Sequence, residues 1–123
     1  MIARFRHAGL EVNADIDSQL TSSELTLAYR IVQEALTNTL RHARATRSDV
    51  EVRHTNEGLH VSVIDNGSGP NTESTPGFGL IGLRERLRRE GGVLSAMAAS
   101  ADSGYRVQAW IPSPVNPPED PPP

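Results

Sequence analysis

The sequence predicts an α/β (α+β) two-layer sandwich: a mixed, mostly antiparallel sheet with helices on one face. Two observations carry that prediction. Apolar residues alternate with polar ones in five short segments, and recur at spacings of three and four in two others. The order is strand, helix, strand, strand, long loop, helix, strand, strand, which packs most simply as one sheet under helices.

Residues 9–17, GLEVNADID, place Leu10, Val12, Ala14 and Ile16 on one side of an extended chain. Thr21-Ser-Ser-Glu24 then matches a capping box, with Thr21 as N-cap and Glu24 at N3. A helix over about 22–43 follows, with Leu25, Tyr29, Val32, Leu36, Leu40 and Ala43 as its apolar stripe. Arg30, Glu34, Asn38, Arg41 and His42 fall on the opposite side. Val50, Val52 and His54, a turn at Asn56-Glu57-Gly58, and Leu59, Val61 and Val63 read as a hairpin. Residues 66–79 are rich in Gly, Pro, Ser and Thr, and a loop of that length in a compact domain commonly binds or covers a ligand. A second helix is expected from Leu80 to Glu90, stopped by Gly91 or Gly92. Two strands close the pattern: Leu94, Ala96 and Ala98, then Val107, Ala109 and Ile111 after a turn at 101–104.

A chain of 123 residues is one domain and can bury about two-thirds of its unfolded surface. Three stretches are expected: 1–8 as the remnant of a linker, 9–112 as the folded domain and 113–123 as a proline-rich disordered tail. The net charge of −3 argues against a general nucleic-acid binder, although all twelve basic residues are Arg. Without Cys there is neither a disulfide frame nor a thiolate metal site. The apolar runs are too short to span a membrane, and the N-terminus has no signal core, so a cytoplasmic location is expected.

Three constellations carry chemistry. Glu34, Asn38 and Arg41 share a helix face, four and three residues apart. A carboxamide oxygen suits Mg²⁺, a carboxylate can accept or orient a proton, and a guanidinium can neutralise phosphate. A solvated face with an Arg30–Glu34 ion pair accounts for the same spacing. Asp65-Asn66-Gly67-Ser68-Gly69 follows a strand. An Asp there can accept a hydrogen bond from an exocyclic amine, and the glycines admit a planar ring. An ordinary turn accounts for that run as well. Gly77-Phe78-Gly79-Leu80 leads into the second helix, whose free N–H groups suit phosphate. No Gly-Lys-Ser/Thr follows, so it is not a Walker A loop, and no strand runs directly into it, so it is not a dinucleotide fingerprint. Arg84 faces either the site or an acidic neighbour, and Arg86, Arg88 and Arg89 read as a solvated basic face.

Taken together and in order, RIVQEALTNTLRHARA, VIDNGSG, GFGLIGLRERLRREGG and VQAWIP resemble the catalytic domain of sensor histidine kinases. That domain belongs to the GHKL superfamily with the Bergerat ATP-binding fold, and the closest resemblance is to its NarX/DesK-type subfamily. The likeness covers about residues 9–112. It implies ATP and Mg²⁺ as cofactors. It implies Asn38 as the residue holding Mg²⁺ between phosphates and Glu34 as base or water organiser. Arg41 stands at the phosphate-contacting position and His42 at the ring-bearing position beside the nucleotide. Asp65 stands at the position that reads adenine N6, with Gly67 and Gly69 shaping the pocket. Gly77 and Gly79 stand where the lid hinges and meets the phosphates, with Leu80 following them.

The resemblance also implies partners: a dimerisation domain carrying the phosphoacceptor His, a homodimer in the full-length protein, and a response regulator. In that subfamily an acidic residue follows the acceptor His. Here His7, His42, His54 and His60 are followed by Ala, Ala, Thr and Val, so the chain is expected to bind ATP without phosphorylating itself. A parent protein anchored in the bacterial inner membrane is compatible with this. Another GHKL ATPase or serine kinase, and a degenerate nucleotide-sensing module, are the alternatives. The GLRER helix weighs against the first, and the presence of Glu34, Asn38 and Asp65 together weighs against the second.

Overall fold

The computed structural model describes residues 1–42, 45–67, 78–98 and 104–112. The expected tail at 113–123, Ala43, the stretch 68–77 of the long loop and most of the 101–104 turn lie outside them. The elements are α1 (Ile2–His7), β1 (Glu11–Ile16), α2 (Ser22–His42), β2 (Arg47–Thr55), β3 (Gly58–Asp65), α3 (Phe78–Arg89), β4 (Val93–Ala98) and β5 (Tyr105–Pro112). The strands form one sheet in the order β1-β2-β3-β5-β4. β1 runs parallel to β2, and every other pairing is antiparallel. The parallel pair requires a crossover, which α2 supplies; the antiparallel pair β2–β3 needs only the short turn after Thr55.

One face of the sheet carries the core. Val12, Val50, Val52, Leu59, Val61, Val63, Leu94, Val107 and Ala109 are all buried, at every second position of their strands. They join Ala28, Ile31, Val32, Ala35 and Leu36 of α2 and Leu80, Leu83 and Leu87 of α3 in a single cluster. The intervening strand positions form the other face, where Arg53 pairs with Asp15 and Glu51, and Arg47 with Asp49, all exposed. Such exposed pairs add little stability but keep that face polar. The two-layer arrangement with helices on one face is the one expected from the sequence.

The structure corrects the sequence expectations in four places. The buried face of α2 is Ala28, Ile31, Val32, Ala35, Leu36 and Thr39; Tyr29 and Leu40 of the expected stripe are 40% and 43% exposed. Small Ala28 and Ala35 let the helix lie closer to the sheet than Tyr29 or Leu40 would. Ala14, expected inside, is exposed on edge strand β1, and His54 is exposed near the hairpin turn. Residues 2–7, for which no element was expected, form α1. Its Phe5 enters the core at 4% exposure, and Arg6 donates to the Val12 carbonyl oxygen from Nε at 3.2 Å and Nη2 at 2.8 Å. Finally, α3 begins two residues early, at Phe78.

Local signals hold where they are specific. The capping box forms: Glu24 N–H donates to Thr21 Oγ1 at 3.1 Å and Thr21 N–H to Glu24 Oε1 at 2.9 Å. At the end of α3, Gly92 N–H donates to the Leu87 carbonyl at 2.7 Å and Gly91 N–H to that of Arg88 at 3.1 Å. With Gly91 at φ 83°, this is a Schellman motif with Gly91 as C′.

Candidate functional site

Asp65 is the last residue of β3, and alternation with Val61 and Val63 turns its side chain into the helix layer. It is a buried acid, 5% exposed. Its Oδ2 accepts from Thr39 Oγ1 at 3.1 Å and its Oδ1 from Gly67 N–H at 2.9 Å. A carboxylate has about four acceptor sites, and the described residues fill two of them. A buried carboxylate in that state favours an incoming N–H donor.

Thr39 is the residue at the candidate site that sequence reasoning missed. It is 4% exposed, and its hydroxyl also lies 3.0 Å from the Ala35 carbonyl oxygen. A hydroxyl has one proton, so the bond to Asp65 and the back-bond to Ala35 share it. The only available signal was its place beside Asn38, and nothing local linked it to an acid 26 positions away.

Asn66 was also undervalued. Its Oδ1 accepts from Thr46 N–H at 3.0 Å and Arg47 N–H at 2.9 Å, and its Nδ2 donates to Thr46 Oγ1 at 3.1 Å. These bonds fasten the start of β2 to the end of β3 and hold the Asp65 turn in place. Gly67 is buried, and its carbonyl accepts from Gly104 N–H at 2.9 Å, which ties the exit of β3 to the entry of β5. The run Asp65-Asn66-Gly67 is therefore a turn built around a buried carboxylate with two donors among the described residues.

Of the helix residues, Glu34 and Asn38 are partly buried, one turn apart, and Asn38 follows buried Ile31 by two turns. They lie on the flank of α2 beside its buried stripe, and Asn38 precedes the residue that bonds Asp65. Arg41 is exposed near the end of α2. The His42 side chain lies outside the described residues, as do Gly69 and Gly77. Gly79 is the second residue of α3, and Leu80, at 3% exposure, packs in the core. The described ion pairs do not include Arg30–Glu34. Arg84 Nε donates to the Leu94 carbonyl at 3.2 Å, which fastens α3 to β4, while Arg86, Arg88 and Arg89 are exposed as expected.

Tyr105, the first residue of β5, stands directly across from Asp65 and packs against the core. Burial pushes its phenol above the ordinary value of 10.0; the Arg84 guanidinium opposes this and the Asp65 carboxylate adds to it. The phenol therefore stays protonated at neutral pH.

As for a divalent cation, the carboxamide oxygen of Asn38 is a hard donor of the right kind. Among the described residues no group of three or more His, Cys, Asp or Glu gathers to hold a metal. A cation at Asn38 would take most of its ligands from phosphate and water, which is how Mg²⁺ commonly binds.

Comparison with known proteins places this geometry in a class, the ATPase domains. Residues 23–115 match the family of histidine kinase-, DNA gyrase B-, and HSP90-like ATPases, and the chain belongs to that family. Among its relatives is the sensor histidine kinase YxjM of Bacillus subtilis, 38% identical over 68% of this chain and 20% of that protein. The signal transduction histidine-protein kinase/phosphatase UhpB of Salmonella typhimurium is 34% identical over 78% of this chain and 19% of its own length. The chain thus spans about a fifth of these relatives. The histidine kinase domain of the Erythrobacter litoralis EL346 blue-light activated histidine kinase shares the fold, with TM-score 0.67 at 24% identity. That match covers 89% of this chain and 56% of the other. The histidine kinase AdeS of Acinetobacter baumannii shares the fold too, with TM-score 0.69 at 15% identity over 93% of this chain and 59% of its own. No described helix is long and apolar enough to cross a membrane.

Proposed function

We propose that this chain is the ATP-binding catalytic domain of a two-component sensor histidine kinase of the NarX/DesK type. Asp65 accepts a hydrogen bond from the adenine amine, with Gly67 and Gly69 shaping the pocket. Asn38 holds Mg²⁺ against the phosphates, Arg41 and His42 flank the nucleotide, and Glu34 orients the attacking group. Gly77, Gly79 and Leu80 set the entry to α3 beneath the lid. The metal supplies charge neutralisation at the phosphates. In the full protein the γ-phosphate passes to a His on a separate dimerisation domain within a homodimer, and from there to a response regulator in the cytoplasm. Catalysis of this kind is largely positioning and charge neutralisation.

The observation that carries the reading is the buried Asp65 carboxylate at the end of β3, which among the described residues accepts from Thr39 and Gly67 and has acceptor capacity beyond those two. Titration calorimetry with ADP and a non-hydrolysable ATP analogue, with and without Mg²⁺, tests it. Saturable binding is expected, weakened about 10- to 100-fold in Asp65→Asn, because a bond to a charged acceptor contributes about 1.5–3 kcal/mol. Equal affinity in the variant would remove Asp65 from the pocket. A folded wild type that binds no adenine nucleotide would favour a degenerate interaction module.

A further inference from the structure

Resting on the adenine reading above, we propose that Tyr105 is a second base-reading residue, its phenol donating a hydrogen bond to adenine N1 beside the N6 amine that Asp65 accepts. The placement follows from the sheet register. Asp65 and Tyr105 are direct cross-strand partners on β3 and β5, and both face the helix layer. Directly opposed residues hold their Cβ atoms about 4.5–5.5 Å apart, so the two side chains leave the sheet as neighbours.

The pair is held from several sides. The bond from Gly104 N–H to the Gly67 carbonyl, 2.9 Å long, clamps the chain one residue before Tyr105 and two residues after Asp65. Thr39 on α2 engages Asp65 Oδ2 and Gly67 N–H engages Oδ1, so the carboxylate is held beside Tyr105 in a fixed orientation. On the α3 side, Arg84 is anchored to β4 through Leu94. Tyr105 packs against the core cluster, so its ring is already ordered before a ligand arrives. Burial, the largest influence, favours the protonated phenol and outweighs the opposing Arg84 guanidinium, so the hydroxyl is available as a donor.

An acceptor and a donor side by side match the edge of adenine, which presents an amine donor at N6 and an acceptor at N1. Reading a base through paired hydrogen bonds to that edge is a general device. Asp65 alone reads the amine; Tyr105 adds a second point of contact and fixes the in-plane orientation of the ring.

The test uses ADP and 1-deaza-ADP, in which N1 is replaced by CH, against wild type, Tyr105→Phe and Asp65→Asn. Wild type is expected to bind 1-deaza-ADP about 3- to 10-fold more weakly than ADP, the range for one net hydrogen bond. Tyr105→Phe, which keeps the ring, is expected to bind ADP more weakly by the same factor and to treat the two ligands alike. Thermal melts of each variant establish folding. If Tyr105→Phe keeps the wild-type preference for ADP, the proposal is overturned while the Asp65 reading stands, provided Asp65→Asn is weakened. If Asp65→Asn binds ADP as wild type does, the pocket itself is wrong and the proposal fails with it.

Discussion

Thr39→Val is the perturbation that isolates the structural basis of the site. Valine matches threonine in shape and replaces only the hydroxyl. The hydroxyl it removes lies 3.1 Å from Asp65 Oδ2 and 3.0 Å from the Ala35 carbonyl oxygen, at a residue 4% exposed. The Ala35 carbonyl keeps its helical N–H donor, so losing that contact costs little. Asp65 Oδ2 instead loses its described donor in a buried setting, which costs about 1–3 kcal/mol. For a domain of this size that is a fall in Tm of about 4 °C for each kcal/mol.

Thr37→Val is the internal control. Among the described residues Thr37 Oγ1 bonds the Gln33 carbonyl alone, at 2.8 Å, so the same chemical change on the same helix is expected to cost less than about 0.5 kcal/mol. Urea unfolding of the three proteins gives the difference directly. ADP titration should show Thr39→Val weakened about 3- to 10-fold, because an oxygen left without its orienting donor meets the ligand less well. If Thr39→Val and Thr37→Val are equally stable, the Thr39–Asp65 bond has no energetic role and the account of the buried carboxylate is wrong.

Other consequences concern the scaffold. Burial pushes the Glu24 carboxyl up, but the Thr21 N–H and His54 more than offset this, so its pKa lies below the ordinary 4.5. A lowered folded-state value contributes stability that is present above pH 4.5 and lost as pH falls through the folded value. Glu24→Gln should therefore flatten the acid limb of the stability–pH curve in that window, and an unchanged limb would show that other acids dominate it. Gly91→Ala places a Cβ at φ 83° beyond α3 and should cost about 1–2 kcal/mol in chemical denaturation. A neutral result would mean the Schellman turn relaxes at no cost.

Much of the fold was legible in the sequence because its signals are local. The Thr21–Glu24 capping box, the turn before Gly58 and the alternation of Leu59, Val61 and Val63 each depend on residues a few positions apart. Asp65 was legible as a candidate because the strand pattern ends on it at a glycine-rich turn. Less legible was the rotation of α2. Apolar residues occupy more than half its circumference, from Leu25 and Leu27 round to Tyr29 and Leu40, so periodicity defines a broad arc. The structure buries the part of that arc containing Ala28 and Ala35. The helix at Ile2–His7 went unseen because Ile2 and Phe5 are too few apolar residues to establish a period.

The sequence by itself determined the five strands, the two longer helices, the capping box that opens α2 and the acid that closes β3. These outcomes are set by backbone geometry and by neighbours within one turn or one hairpin. Only the tertiary structure decided that Thr39 bonds Asp65, that Asn66 fastens the start of β2, and that Tyr105 stands opposite Asp65. Those partners are 19 to 40 positions apart. Their meeting depends on strand order, on register and on how α2 settles over the sheet, and packing of the whole core selects all three.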